Sequence, residues 1–280
     1  MIEDAKRSIT NGSVWDKVYQ LDNYSIKVFD PNSKLCVIYF SSSAIYYPNT
    51  EKALEERVID QDYYEWKAYP LRNIGKAIYV RDVAKQFYIY GINKNISTIT
   101  AIIEFLRKET LGYNIVTVGS SSGGYMAALA GAILKAQKVY CFSGFFSLTN
   151  VNQDVWYLLK KEKDNLLYNQ YYEISSYVKE AYNTEFVYVM PGLSKDMINN
   201  DWLQCKYVEK FENVYCLKIK EKNHGVCMPQ YLLREFLNLD VNIIKKISKL
   251  YKGKLIGKWR LSIMVCGMKT TILHFIELLK

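Results

Sequence analysis

A serine, a histidine and an aspartate in this sequence lie in surroundings that could support nucleophilic catalysis. Ser121 is the central residue of GSSSG at 119–123, a G-x-S-x-G pattern between the apolar run IVTV and the helical pattern YMAALAGAILKA. In this strand-turn-helix context a strained turn holds a hydroxyl above the edge of a sheet. The amides at the start of the following helix favour negative charge on an acyl oxygen. The pattern predicts Ser121 as a nucleophile for acyl transfer.

A phosphate-binding turn is the main alternative for this segment. Lys and Thr do not follow it as a P-loop requires, and the G-x-G-x-x-G spacing of a dinucleotide site is absent. Ser120 and Ser122 each lie one position from Ser121, so a flanking serine stays open as the reactive one.

A serine hydroxyl needs a base, and the chain has only two histidines. His224 lies in the loop KEKNHGVCMP, directly after the strand pattern VYCLKI, which places it at the same edge of a parallel sheet as the serine turn. His274 lies among apolar residues at helical spacing, which favours a packing role. We therefore predict His224 as the base. So few histidines also argue against a multi-histidine metal site, and no metal is expected.

The orienting acid of such a site should lie between the serine and the histidine in chain order. Two aspartates follow the strand pattern FVYVM, Asp196 and Asp201. Asp201 is favoured slightly, although it could instead be only the N-cap of the next helix. Two backbone N–H groups should hold the oxyanion: that of Ser122, and one from Ser41-Ser42-Ser43 after the strand pattern LCVIYF, for which we name Ser42.

The sequence predicts an α/β fold to position these residues, because short β-branched and aromatic runs alternate with helical patterns. Strands are predicted at 24–29, 35–40, 77–80, 115–118, 138–142, 186–190 and 214–219. Helices are predicted at 51–59, 96–110, 123–136, 202–211 and 229–238. Several strands are apolar on both alternations, as expected when helices cover both faces of a parallel sheet. Residues 145–182 interrupt this rhythm and predict a small helical cap over the carboxyl edge.

Charge divides the chain into a neutral body and a basic end. Residues 1–240 contain 28 basic and 27 acidic side chains, whereas 241–280 contain nine basic side chains and one acid. The neutral body argues against nucleic-acid binding. The end, 241–280, is predicted as a helical extension, whose 241–252 pattern fits either a last helix packed on the body or a peripheral contact with an anionic membrane.

Cysteine usage and the amino-terminal residues bear on the compartment. The six cysteines form no CxxC pair, and three fall inside strand patterns, as buried thiols of a reducing compartment do. The start, MIEDAKRSITNG, is charged and has no apolar signal region. We expect a cytoplasmic protein that could contact the inner face of the membrane.

The motifs together resemble the α/β-hydrolase superfamily, and more narrowly the hydrolase-fold proteins of bacterial surface-polysaccharide loci, including capsular polysaccharide O-acetyltransferases. The resemblance spans about residues 24–240 and is carried by the following passages: VIYFSSS, IYVRD with QFYIYG, VGSSSGGYMAAL, KVYCFSGFFSL, NNDWLQ and NHG. It implies an α/β-hydrolase-like domain over 1–240, with Ser121 as nucleophile, His224 as base and Asp201 as acid. Ser122 departs from relatives that often have Met or Lys there, and 241–280 lies outside the resemblance.

The expected function is that of a serine esterase or O-acetyltransferase acting on a carbohydrate ester in surface-polysaccharide biosynthesis or modification. No resident cofactor is expected, and acetyl-CoA is the candidate acyl donor. A dry pocket under the cap would favour acyl transfer over hydrolysis, since water must be kept from the acyl-enzyme. The alternative is a catalytically inactive hydrolase-fold protein that binds glycan or scaffolds an assembly complex. In that alternative His224 would lie beyond reach of Ser121.

Overall fold

The computed structural model of the protein describes residues 8–151, 156–194 and 200–278, and these build a central eight-stranded sheet. The strands in chain order are β1 (Tyr24–Val28), β2 (Leu35–Phe40), β3 (Lys76–Val80), β4 (Asn114–Ser120), β5 (Lys138–Phe142), β6 (Glu185–Pro191), β7 (Val214–Ile219) and β8 (Leu255–Ile256). Across the sheet they run β1-β3-β2-β4-β5-β6-β7-β8. All neighbours pair in parallel except β1, which is antiparallel to β3.

Helices connect the parallel strands and cover the sheet. They are α1 (Ser13–Gln20), α2 (Glu51–Glu55) continued by a π-helical turn (Glu56–Asp60), α3 (Ile99–Glu109), α4 (Ser122–Ile133), α5 (Tyr157–Glu162), α6 (Ser175–Glu180), α7 (Asp201–Val208), α8 (Gln230–Leu237), α9 (Val241–Leu250), α10 (Lys258–Cys266) and α11 (Met268–Leu278). Within the described part of the chain, no helix combines the length and apolar character that crossing a bilayer requires.

The strands are apolar on both alternations because each face of the sheet carries its own core. On β2, Ile38 and Phe40 belong to one buried cluster, whereas Val37 and Tyr39 belong to the cluster on the other face. Burial of both alternations is what distinguishes a parallel strand under two helix layers from a half-exposed antiparallel strand. The helix α4 lies almost entirely inside the first cluster, which explains its run of Ala and Gly residues.

The described residues of the segment 145–182 form two structures with different roles. An antiparallel bridge between Ser147 and Glu173 closes the base of an excursion that contains α5 and Trp156. Trp156 packs its ring against Phe87 and Phe145, with centroids 5.3 and 6.0 Å away. The helix α6, in contrast, packs against α4 as an ordinary crossover helix before β6. The described part of this predicted cap is therefore an excursion followed by a connecting helix.

The basic end of the chain adds structure to the body. Ile244 and Ile247 of α9 are buried in the second core cluster, and β8 pairs with β7 as a further parallel strand. The sequence analysis did not predict β8, because two residues are too few to give a strand pattern. Residues 241–278 are thus mostly helical, and they also complete one edge of the sheet.

Candidate functional site

The turn between β4 and α4 has the geometry that a reactive serine requires. Ser121 has φ 54° and ψ −121°, in a region that L-residues rarely adopt, and it follows β4 directly. Its N–H donates to the carbonyl of Phe142 at 2.9 Å, which ties the turn to the neighbouring strand. A Cβ on Gly119 would lie 2.1 Å from the Gly123 carbonyl oxygen, and one on Gly123 would lie 2.3 Å from the Phe40 carbonyl oxygen. Both glycines are therefore required by close backbone approach.

His224 lies in the loop after β7 and contacts the serine. Its Nε2 is 2.9 Å from Oγ of Ser121. Ser143 anchors the loop, because its Oγ donates to the Gly225 carbonyl at 2.8 Å and accepts from the Gly225 N–H at 3.1 Å. Gly225 has φ 118°, a conformation that favours glycine, and the turn there brings the imidazole back over the sheet edge.

Asp201 completes the arrangement. Its Oδ1 and Oδ2 lie 2.9 and 3.1 Å from Nδ1 of His224, and the residue is only 3% exposed. The interpretation of Asp201 as an N-cap is wrong: Asn200, with φ 47°, occupies the N-cap position of α7, and Asp201 is the first helical residue. The alternative acid, Asp196, lies outside the described residues. A carboxylate that accepts from Nδ1–H leaves Nε2 free to take the serine proton.

The start of α4 supplies backbone amides next to Ser121. The N–H groups of the first helical turn, beginning with Ser122, have no carbonyl acceptor within the helix and point toward its N-terminus. They place a partial positive charge where an acyl oxygen would become negative. The side-chain hydroxyl of Ser122 is buried and has no hydrogen-bond partner in the described part of the chain, so we assign any contribution of this residue to its backbone.

The second predicted oxyanion donor is engaged by another residue. The N–H of Ser42 donates to Oε2 of Glu65 at 2.5 Å, and the Ser42 hydroxyl donates to Oε1 at 3.1 Å. Burial raises the pKa of the Glu65 carboxyl, and the two hydrogen bonds from Ser42 oppose that shift. While Glu65 holds this position, the Ser42 N–H cannot serve an oxyanion. Glu65 was missed because a lone acid among aromatic residues, in DYYEWKAY, carries no motif.

Little of the site is exposed to solvent, and one apolar ring lies against it. The Phe145 ring lies 5.9 Å from the His224 imidazole, at the base of the excursion that follows β5. Ser121 is 8% exposed and the His224 side chain 15% exposed. His274 lies elsewhere, stacked on Tyr231 with ring centroids 4.2 Å apart, in a packing contact between α11 and α8. Among the described residues, no cluster of three or more His, Cys, Asp or Glu side chains could hold a metal ion.

Comparison with known proteins gives similarity in fold. No protein-family profile matches the chain, and no curated protein matches it. The esterase Est22 is 11% identical over 89% of this chain and 84% of its own, with a TM-score of 0.40. An arylesterase is 15% identical over 83% of each chain, with a TM-score of 0.44. MPT51 (FbpC1) of Mycobacterium tuberculosis is 12% identical over 69% of this chain and 82% of its own, with a TM-score of 0.42.

These likenesses concern the fold alone. The sheet order, the single antiparallel strand β1 and the sharp turn between β4 and α4 are features of this chain itself. The predicted α/β-hydrolase-like fold, with a mostly parallel sheet between two helix layers, is confirmed.

Proposed function

We propose that the protein is a serine acyl-transfer enzyme, an esterase or O-acetyltransferase, that acts on an ester of a carbohydrate in bacterial surface-polysaccharide biosynthesis or modification. The observation that carries this proposal is the continuous contact from Ser121 through His224 to Asp201, with every link near 3 Å. The inactive-scaffold alternative required His224 to lie out of reach of Ser121. Their separation of 2.9 Å supports the enzyme instead.

The proposed reaction has two halves. Oγ of Ser121 attacks the acyl carbonyl carbon while its proton passes to Nε2 of His224, and the Asp201 carboxylate stabilises the resulting imidazolium. The Ser122 N–H helps to hold the tetrahedral oxyanion. When the oxyanion collapses, the bond to the leaving alcohol or thiol breaks, the leaving group takes the proton from His224, and an acyl-serine remains.

The acceptor decides whether the enzyme hydrolyses or transfers. Water or a sugar hydroxyl gives its proton to His224, attacks the acyl-serine and restores the free hydroxyl of Ser121. Acetyl-CoA is the proposed donor for transfer, with the CoA thiol as the first leaving group. The low exposure of Ser121 and the apolar contact of Phe145 with His224 favour transfer, because bulk water reaches an enclosed acyl-serine less easily.

Covalent labelling tests the nucleophile directly. A serine-directed alkyl phosphonate should attach one phosphonyl group per protein molecule, and peptide mass spectrometry should locate this group on Ser121. The Ser121→Ala protein should take up no label, while the matched Ser120→Ala protein should label like the wild type. Absence of label on correctly folded wild-type protein would contradict the proposal. Incubation with acetyl-CoA and a panel of acetylated and free glycans then separates transfer from hydrolysis.

We also propose that the basic end of the chain holds the enzyme beside an anionic membrane at its cytoplasmic face. Lys246, Lys249 and Lys252 are exposed on and just after α9, whereas Ile244 and Ile247 on the same helix are buried. The helix therefore packs on the body through its apolar side and leaves Lys246 and Lys249 outward, whereas Lys245 pairs with Glu185. Each basic residue near an anionic leaflet contributes about 1 kcal/mol of binding free energy.

Charge reversal tests this contact better than truncation, because truncation would remove β8 from the sheet. Reversing Lys246, Lys249 and Lys252 to Glu should abolish cosedimentation with phosphatidylglycerol vesicles. The same change at three exposed lysines of the body (Lys17, Lys94 and Lys108) should reduce it much less. If both triple variants lost vesicle binding equally, binding would depend on net charge, and the proposal of a specific membrane-binding surface would be wrong.

A further inference from the structure

A pocket of about 230 Å³ lies beside the loop that carries His224. Val226 and Met228, which follow His224 in the chain, line it together with Glu65 and three aromatic residues near Glu65 in the chain. Because Glu65 binds Ser42 directly after β2, the pocket joins the β2 loop to the β7 loop. Both loops lie at the carboxyl edge of the sheet, the edge at which Ser121 stands.

Glu65 has no cationic partner among the residues that the structure describes. It accepts two hydrogen bonds, both from Ser42, out of roughly four that a carboxylate can accept. None of the ion pairs in residues 8–151, 156–194 and 200–278 includes Glu65. Other partly buried glutamates, such as Glu109 and Glu185, pair with lysines. A carboxylate that lies in a pocket without a counter-ion has the capacity to pair with a cation from outside.

The walls of the pocket suit a cation as well. Tyr63, Trp66 and Tyr69 line it, and aromatic rings attract cations through the negative potential of their faces. Two guanidinium groups lie near these rings, Arg57 at 4.2 Å from the Tyr63 centroid and Arg234 at 5.8 Å from the Tyr69 centroid, yet neither arginine lines the pocket. Among the described residues that line the cavity, Glu65 carries the only formal charge and none is Lys or Arg, which favours a cationic over an anionic ligand.

We propose that this pocket is a subsite for a positively charged ammonium group of the substrate, with Glu65 as the specificity-determining acid and Tyr63, Trp66 and Tyr69 as its aromatic walls. The inference rests on the proposed function and refines it: the carbohydrate that gives or receives the acyl group carries a protonated amine. The ammonium contacts Glu65 and the rings, while the neighbouring ester or hydroxyl lies toward Ser121.

A binding experiment tests the subsite without requiring catalysis. Cyclohexylammonium and cyclohexanol have the same ring with a charged or a neutral substituent, and D-glucosamine and D-glucose form the matching carbohydrate pair. Titrated calorimetrically into the Ser121→Ala protein, the charged member of each pair should bind at least about tenfold more tightly. Equal affinities within both pairs would overturn the proposal.

Two variants test whether a preference for the charged probes arises in the pocket. Glu65→Gln keeps the size of the side chain and an acceptor for the Ser42 N–H, and should remove the preference for the charged probes. Tyr69→Leu removes one aromatic wall and should weaken it about three- to tenfold. The control Glu104→Gln removes the same charge at an exposed position on α3 and should leave the preference intact. A preference that survives Glu65→Gln would overturn the assignment.

Hydrolysis of p-nitrophenyl acetate separates this inference from the function on which it rests. Wild-type turnover that is lost in Ser121→Ala supports the acyl-transfer chemistry whatever the probes do. Charged probes that bind as expected without any turnover would support the subsite and contradict the proposed chemistry. Turnover with equal affinities for charged and neutral probes would support the chemistry and contradict the subsite.

Discussion

Two runs of three serines lie at the same edge of the sheet, and the structure gives them different surroundings. The run 120–122 ends β4 and opens α4, and its central hydroxyl meets His224 at 2.9 Å. The run 41–43 follows β2, and its central residue gives both its N–H and its hydroxyl to Glu65. Residue type is the same in both runs, so the groups facing each run decide its chemistry.

The difference divides the candidate site into two halves. We call the surroundings of Ser121, where the three predicted side chains already contact one another, the ready half. We call the surroundings of Ser42, where the predicted oxyanion amide is bound by Glu65, the held half. Around Ser121, His224 and Asp201 are in hydrogen-bond contact and the first amides of α4 follow directly in the chain. Around Ser42 a carboxylate stands where a second oxyanion donor was predicted. A substrate cation that pairs with Glu65 would offset the negative charge of this carboxylate beside the Ser42 amide. The following variants test the two halves in order of expected effect.

Asp201→Asn should give the largest loss on the ready half. An asparagine in place of the acid can favour the wrong tautomer of His224 and cannot stabilise the imidazolium, so kcat for an activated acetate ester should fall by roughly 10⁴. Steady-state kinetics measure this loss, and the melting temperature serves as the folding control. A loss below tenfold in a folded protein would mean that Asp201 does not orient the base.

Asp82 is connected to the held half through Tyr88, and titration of its carboxyl should make the free energy of unfolding depend on pH. Burial raises the pKa of this carboxyl to about 6, although amide groups including those of Gln86 and Tyr88 donate to it. Because the folded pKa lies above the ordinary value of 3.8, the folded state binds the proton more tightly than the unfolded state. The free energy of unfolding should therefore fall as pH rises from about 4 to above 6, by up to about 3 kcal/mol from this group.

The corresponding measurement is urea unfolding across that pH range in the wild type and in Asp82→Asn. The variant lacks the titrating group, so its stability should decline less as pH rises. Tyr88, whose N–H donates to Asp82, also donates its hydroxyl to the Ser41 carbonyl, which connects this carboxyl to the β2 loop. Parallel pH curves for the two proteins would rule out Asp82 as the source of the dependence.

Gly123→Ala tests whether the close approach of the start of α4 to the carbonyls of Phe40 and Ser41 is required. The added Cβ would lie 2.3 Å from the Phe40 carbonyl oxygen and 2.8 Å from that of Ser41, so the start of α4 must shift away from β2. We expect a loss of about 1–3 kcal/mol in the free energy of unfolding and reduced labelling of Ser121 by phosphonate. Gly257→Ala, where a Cβ meets nothing within 4 Å, is the matched control and should leave both unchanged.

Glu65→Gln should give the smallest effect on a neutral ester, and in the opposite direction. The change removes negative charge from the β2 loop, where an oxyanion would otherwise be repelled. Turnover of p-nitrophenyl acetate should rise about two- to fivefold, while the preference for ammonium-bearing ligands disappears. A fall in turnover would show that Glu65 assists the chemistry on neutral esters. Both halves of the site would then contribute to turnover.

Much of the fold was predictable because its signals are local. The seven strands predicted from apolar runs match β1 to β7 to within two residues at each end. The turn at Ser121 was predictable because only glycine fits at positions 119 and 123 between a strand and a helix. With two histidines in the chain, and one of them in a helical apolar pattern, the position of His224 followed from the parallel order of the strands.

Other features depended on contacts between distant parts of the chain. Propensity made Asp201 a plausible N-cap, and only the path of the β7 loop shows its carboxylate against His224. The strand β8 has two residues and exists because β7 offers an open edge for pairing. The Glu65 contact joins residues 23 positions apart through a loop with no repeating pattern.

The sequence by itself determined the α/β-hydrolase-like fold and the position of Ser121 in its strand-to-helix turn, since hydrophobic periodicity and the steric demands of glycine act over a few neighbouring residues. The tertiary structure alone decided which acid faces His224 and which carboxylate occupies the Ser42 amide. Such pairings depend on ångström-scale approach of loops from different strands, and no spacing in the sequence encodes that distance.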